Sequence, residues 1–137
     1  MTMTLSAAAR SARMTALVTA LGASATAKLY NGTKPAALGA PAGTLLATLV
    51  YGTDVIAANG GSAGSVTNGV LAFGGITQTN TNHVAGTPTF VRLSTAGGTA
   101  VADIDIGAGA GNLQFTGTVA NAQNVTATGI TLTDGNP

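Results

Sequence analysis

The chain has 137 residues, the length of one domain, and a formal net charge of +1 from five Lys and Arg and four acidic side chains, all of them Asp. This charge is too small for a nucleic-acid-binding surface, and the absence of Cys excludes disulfides and thiolate sites. Two Tyr, three Phe and no Trp predict a core with little aromatic bulk.

The N-terminal segment predicts the only helix, over residues 4–21. Thr4 or Ser6 can cap its start, and Gly22 is suited to end it. Four apolar residues repeat at the spacing of one helix face: Met14, Leu17, Val18 and Leu21. The sequence allows this helix to pack on its own domain or to reach a neighbouring subunit as an arm. Because two arginines interrupt the apolar stretch, we expect neither a signal peptide nor a membrane span.

From residue 27 onward, short runs rich in Thr, Val, Gly and Asn alternate with turn residues, which is typical of antiparallel β structure. The predicted strands cover residues 28–30, 44–51, 65–67 running on to 69–73, 77–80, 88–94, 100–106, 112–116 and 126–132. We expect a mainly β fold, an antiparallel β-sandwich or jelly roll with one N-terminal α-helix. Residues 1–26 then form an N-terminal helix or arm, and residues 27–137 form the sandwich domain.

The clearest predicted hairpin pairs residues 90–93 with residues 101–106. On its second strand, three apolar side chains share the face that we expect to meet the core: Ala102, Ile104 and Ile106. Asp103 and Asp105 share the other face, and two carboxylates that point the same way are what a Ca²⁺ site requires. No motif supplies further oxygen ligands. We therefore expect these carboxylates to be solvated or paired with a cation such as Arg92 on the adjacent strand.

The rest of the chain offers few candidate functional residues. His83 follows a polar run, and we expect it in an exposed loop. The Pro- and Gly-containing stretch 31–43 predicts another loop. The Gly-rich segments lack the Lys-Ser or Lys-Thr of a phosphate-binding loop, and the chain has no nucleophile-elbow motif. We therefore nominate no catalytic, cofactor-binding or metal-binding residue, and we expect a protein that is not an enzyme.

The order of motifs along the chain resembles one family of small phage proteins. These motifs are residues 5–10 (LSAAAR), 27–35 (AKLYNGTKP), 43–49 (GTLLATL), 68–71 (NGVL), 89–93 (TFVRL), 98–103 (GTAVAD) and 130–136 (ITLTDGN). Together they cover nearly the whole chain. The chain is similar to the cement, or decoration, proteins of tailed-bacteriophage capsids that have a jelly-roll fold.

This resemblance implies a structural virion protein that is made in the bacterial host cytoplasm and is located on the capsid exterior. The implied partners are the major capsid protein, whose lattice it would stabilise from outside, and a second copy of the chain in a homodimer on two-fold positions. The family has no catalytic residues and no cofactor. Two alternatives stay open: a structural component of the phage tail or baseplate, and a carbohydrate-binding β-sandwich.

Overall fold

A computed structural model describes residues 4–56, 64–78, 83–107, 113–114, 119–120, 125–127 and 130–134. Across these ranges the chain is mainly β, with two four-stranded antiparallel sheets and one N-terminal α-helix. This architecture confirms the predicted antiparallel sandwich with its helix. The jelly-roll connectivity within that class stays a prediction.

The helix and the strands have the following bounds. They are α1 (Ala7–Leu21), β1 (Thr26–Tyr30), β2 (Leu45–Val50), β3 (Ser65–Thr67), β4 (Val70–Ala72), β5 (Ile76–Gln78), β6 (Phe90–Ser94), β7 (Ala100–Asp105), β8 (Leu113–Gln114), β9 (Val125–Ala127) and β10 (Thr131–Thr133). The first sheet has the order β2-β1-β6-β7, and the second has the order β3-β4-β10-β8. β5 and β9 form a separate two-stranded sheet.

Most predicted strands lie where the sequence places them, and the hairpin of β6 and β7 is confirmed with Arg92 opposite Asp103. The prediction of one strand over residues 126–132 is wrong. Its beginning falls in β9, which pairs with β5, whereas its end falls in β10, which lies between β4 and β8. The predicted loop at residues 31–43 is confirmed and contains one 3-10 turn, Ala36–Leu38. Predicted strand residues 79–80, 112, 115–116 and 128–129 lie outside the described residues.

One hydrophobic core lies between the two four-stranded sheets. The first sheet contributes Leu29, Leu49 and Leu93, and the second contributes Leu71 and Leu132. Several further positions facing this core hold only Ala, which agrees with the thin core that the composition predicts. The residues that face this core alternate, with Ala27 and Leu29 in β1 and Val91 and Leu93 in β6, because successive side chains of a strand point to opposite faces of the sheet.

The helix is part of this core. Its start is capped by Ser6, whose hydroxyl accepts a hydrogen bond from the Ala9 amide, so the helix begins later than residue 4. Met14 and Leu21 are buried in the core. On the same helix, the Ser11 hydroxyl accepts a hydrogen bond of 2.9 Å from the Gly69 amide in the turn between β3 and β4. In this chain, therefore, the helix packs on the sandwich of its own domain.

Replacing Leu21 by Ala tests whether the helix shares the stability of the sandwich. We expect Leu21→Ala to lower the free energy of unfolding by about 2–5 kcal/mol, because it leaves a cavity in the core. The measurement is urea denaturation followed by circular dichroism. Leu38→Ala is the control, since Leu38 is exposed and its loss is expected to change stability by less than about 0.5 kcal/mol. Equal effects of the two substitutions would show that the helix is not integrated in the core.

The buried phenol of Tyr51 makes stability depend on pH in the alkaline range. Burial raises the pKa of Tyr51 well above its ordinary value of 10.0, because a phenolate is poorly solvated in the core. Above about pH 10 the unfolded chain loses the phenol proton while the folded chain keeps it. Stability therefore falls as the pH rises, by up to about 1.4 kcal/mol for each pH unit.

We expect Tyr51→Phe to remove this alkaline loss. Its cost at neutral pH is expected to stay below about 1 kcal/mol, because the Tyr51 hydroxyl has no hydrogen-bond partner in the described part of the chain. Urea denaturation between pH 8 and pH 11 measures both effects. An equal slope in Tyr51→Phe and the wild type would contradict this assignment.

Candidate functional site

The outer face of the first sheet, on the side away from the core, carries four of the nine charged side chains. The strand register aligns Lys28 of β1 with Arg92 of β6, and Arg92 with Asp103 of β7. Ala27 and Leu29 point to the core, so Lys28 between them points outward. Arg92, Asp103 and Asp105 follow the same alternation. This face therefore holds the acidic pair that the sequence singled out.

Arg92 and Asp103 form a two-pronged ion pair. The Arg92 Nε donates to Asp103 Oδ1 over 2.7 Å, and one terminal guanidinium nitrogen donates to Asp103 Oδ2 over 2.6 Å. The Arg92 side chain is 11% exposed and that of Asp103 is 4% exposed. The hydrogen bonds to Asp103 raise the pKa of the Arg92 guanidinium, although burial acts in the opposite direction. Of the two expected outcomes, solvation or pairing with a cation such as Arg92, the structure confirms the pairing with Arg92 for Asp103.

Asp103 is shielded because the 31–43 loop folds back over the outer face. The same guanidinium nitrogen of Arg92 also donates to the carbonyl oxygen of Gly39 in this loop over 2.6 Å. A second contact joins the Lys34 Nζ of the loop to Asp105 Oδ2 over 2.7 Å. Because these side chains are 35% and 50% exposed, the Lys34–Asp105 pair is expected to contribute less than the buried one.

The two ends of the loop are held together, as in a compact Ω-loop. The Asn31 amide donates to the Thr44 carbonyl over 3.1 Å, and the Thr44 amide donates to Asn31 Oδ1 over 2.7 Å. Gly43 has a φ of 101°, and a Cβ at this position would collide with the Asn31 carbonyl. Only glycine fits this closure. The Asn31 side chain closes the loop through this bond to Thr44.

A small aromatic cluster also lies on this outer face. Tyr30 of β1 and Phe90 of β6 stack with their ring centroids 5.1 Å apart and an angle of 7° between the rings. Phe90 is fully buried but does not belong to the core between the sheets. The Thr89 hydroxyl beside it donates to the Gly32 carbonyl of the loop over 2.6 Å. The core therefore covers one face of the first sheet, and the 31–43 loop covers part of the other, where Val50 of β2 remains exposed.

The structure brings the two carboxylates of the predicted pair to one face but gives each a cationic partner of its own. Asp103 binds Arg92, and Asp105 binds Lys34. Among the described residues, no group of three or more His, Asp or Glu side chains comes close enough together to hold a metal ion. The arrangement fixes a loop on a sheet, and we assign it a bracing role.

His83 differs from its prediction. It is only 2% exposed, so the expected exposed loop histidine is wrong. The next residue, Val84, donates from its amide to the Leu46 carbonyl on the outer edge of β2, over 2.9 Å. This bond holds the segment that contains His83 and Val84 against the sheet. The polar residues that precede His83 in the sequence do not indicate that it is buried.

Among the described residues, four large apolar side chains remain exposed by 37–46%: Leu38, Leu45, Val50 and Val84. Leu38 lies in the 3-10 turn of the 31–43 loop. Its φ is 58°, and that of Ala37 is 51°, so two consecutive non-glycine residues occupy the left-handed region. This conformation costs free energy, on the order of 1 kcal/mol for each residue. The loop thus holds Leu38 at the surface in a strained backbone.

Comparisons with protein-family models, with curated proteins and with solved structures find no match to this chain. In the described ranges, no helix has both the length and the apolar character needed to cross a bilayer. The geometry of the site is that of an outer face braced by one buried ion pair and one exposed ion pair.

Removing the charge of Asp103 tests whether the buried ion pair holds this face together. We expect Asp103→Asn to lower the free energy of unfolding by about 3–5 kcal/mol, because it leaves the buried Arg92 without a counter-charge. The matched control is Asp105→Asn, for which the exposed pair predicts a loss below about 1 kcal/mol. Chemical denaturation measures both variants. Similar losses in the two would contradict the different roles assigned to these carboxylates.

Proposed function

We propose that this chain is a structural virion protein that binds the outer surface of an icosahedral phage head and cements the lattice of the major capsid protein. The motifs that resemble capsid cement proteins suggest this role. The observation that carries it is the braced outer face of the first sheet, where the described Asp and Arg side chains are paired within the chain itself. Such a face is suited to protein contacts, since few uncompensated charges have to leave water.

The size of the molecule is compatible with several partners at once. Its accessible surface is 6685 Å², and a standard interface takes about 800 Å² from each partner. One such contact would use about an eighth of this surface. A subunit that binds neighbouring capsid proteins at several contacts gains affinity by about 10²- to 10⁴-fold over a single contact. Weak individual contacts are then sufficient to stabilise the shell, because the chain binds only the assembled lattice.

The aromatic side chains give little support to the carbohydrate-binding alternative. Sugar-binding sandwiches stack their ligands on exposed rings. In the described part of this chain, Tyr51, Phe73 and Phe90 are buried, and the half-buried Tyr30 is already stacked on Phe90. We therefore prefer a structural role over carbohydrate binding. The sequence motifs favour a position in the head over one in the tail.

The test is an add-back experiment with heads of the parent phage. Heads made without this chain are expected to open at a lower temperature than complete heads, and saturating purified chain is expected to restore the wild-type opening temperature. Dye access to the packaged DNA reports opening, and quantitative gels report the ratio of the chain to the major capsid protein. A fixed ratio with restored stability supports the proposal. Finding the chain in purified tails only, or saturable binding with no change in opening temperature, would overturn it.

A further inference from the structure

The sequence contains Asn-Gly pairs whose chemistry the bracing role does not use. The side-chain amide of Asn is chemically labile. It is lost most readily where Gly follows, because glycine has no Cβ to hinder attack by its amide nitrogen. The chain has three such pairs: Asn31-Gly32, Asn59-Gly60 and Asn68-Gly69. The structure describes the first and the third, and the second lies outside the described residues. A difference in reactivity between the two described pairs has to come from the fold.

The Asn31-Gly32 pair lies at the start of the 31–43 loop and leaves its attacking nitrogen accessible. Gly32 is exposed, and its amide donates no hydrogen bond in the described part of the chain. The Asn31 side chain is held by the Thr44 amide, which donates to Oδ1 over 2.7 Å. Attack of the Gly32 nitrogen on Cγ of Asn31 turns this Oδ1 into an oxyanion. The Thr44 amide therefore already lies where the developing negative charge needs a donor.

The Asn68-Gly69 pair, in the turn between β3 and β4, has the opposite arrangement. Gly69 is buried, and its amide donates to the Ser11 hydroxyl of α1 over 2.9 Å. The Gly69 carbonyl accepts a hydrogen bond of 2.8 Å from the Asp134 amide. The nitrogen that would have to attack is thus bonded to the helix and shielded from solvent. A reaction at this pair first requires local opening of the turn.

We propose that Asn31-Gly32 is a site of spontaneous covalent modification in the folded protein, whereas the fold protects Asn68-Gly69 from the same reaction. The Gly32 nitrogen forms a bond to Cγ of Asn31. The bond from Cγ to Nδ2 breaks, and Nδ2 leaves as ammonia with the proton that the Gly32 amide gives up. Water then opens the resulting succinimide ring at either carbonyl. The product at position 31 is an aspartate or an isoaspartate.

An isoaspartate at position 31 disturbs the closure of the loop, because it adds a methylene group to the main chain. The Asn31 carbonyl lies so close to Gly43 that even a Cβ on Gly43 would collide with it. No space is left for a longer main chain, and the bonds between position 31 and Thr44 open. Since this loop supplies the Gly39 carbonyl to Arg92, the modification loosens the outer face of the first sheet as the protein ages. This inference does not depend on the proposed role in a virion.

Mass spectrometry on the aged wild-type protein tests the assignment without any substitution. The folded chain is incubated at mildly alkaline pH, and fragment spectra follow the conversion of each asparagine with time. We expect Asn31 to be converted at least about tenfold faster than Asn68, because Asn68 reacts only when its turn opens. The same chain in guanidinium chloride is the control, in which the two are expected to react at similar rates. Equal rates in the folded chain, or a difference that persists unchanged in guanidinium chloride, would overturn the proposal.

Replacing Ser11 by Ala tests the protection of the second pair. Ser11→Ala removes the acceptor of the Gly69 amide and is expected to raise the conversion of Asn68 at least about threefold, as the loss of one hydrogen bond predicts. The rate at Asn31 is expected to stay unchanged. The matched control is Thr15→Ala, which removes a hydroxyl that bonds only within α1. If Ser11→Ala and Thr15→Ala gave the same rate at Asn68, the fold would not protect this pair through its amide, against the inference.

Hydrogen exchange on the modified protein tests the effect on the loop. The isoaspartate form is separated from the unmodified chain by chromatography. Its Thr44 amide is expected to exchange at least about tenfold faster than in the unmodified chain, because its acceptor on residue 31 is displaced. The Tyr51 amide, which donates to the Ala25 carbonyl, is the internal control and is expected to keep its protection. A Thr44 amide that is equally protected in both forms would show that the closure survives and would contradict the expected loosening.

Discussion

The buried ion pair of Arg92 and Asp103 is the interaction on which the outer half of this molecule depends. A charge removed from water is costly unless a partner compensates it, and here two hydrogen bonds within the pair and a third to the Gly39 carbonyl provide that compensation. The pair joins β6 to β7 and holds the 31–43 loop on the sheet. The loop in turn covers Phe90. The chain has nine charged side chains, five basic and four acidic. Two of these, Arg92 and Asp103, hold the outer face of the first sheet together.

The small number of charged side chains also explains why the molecule is built in layers around a small hydrophobic core. The central layer is filled by Leu, Val and Ala from both sheets and by two residues of the helix, Met14 and Leu21. The outer layer, beneath the 31–43 loop, adds an aromatic stack and the ion pair. Each layer buries little surface by itself, so the stability of the folded chain depends on both layers. Three ion pairs within the chain use six of its nine charged side chains, so few unpaired charges have to leave water when another protein covers the surface. This property links the fold to the proposed role in an assembly.

The elements that the sequence predicted best are those set by local periodicity. The helix follows from four apolar residues on one face and from its caps at Ser6 and Gly22, and the hairpin of β6 and β7 follows from alternating apolar residues. The burial of His83 and the cover over Asp103 could not be predicted, because both depend on segments that are distant in sequence. The prediction of one strand over residues 126–132 is wrong for a related reason. Their alternation fits one strand, whereas long-range pairing assigns their two ends to different sheets.

We propose that this protein works through its surface as part of a virion. A cryo-EM map of the complete parent phage tests it most directly. We expect density for a small β-sandwich at repeated positions on the outside of the head, in contact with more than one major capsid protein. A head of the complete particle with no additional protein on its outer surface would contradict the account.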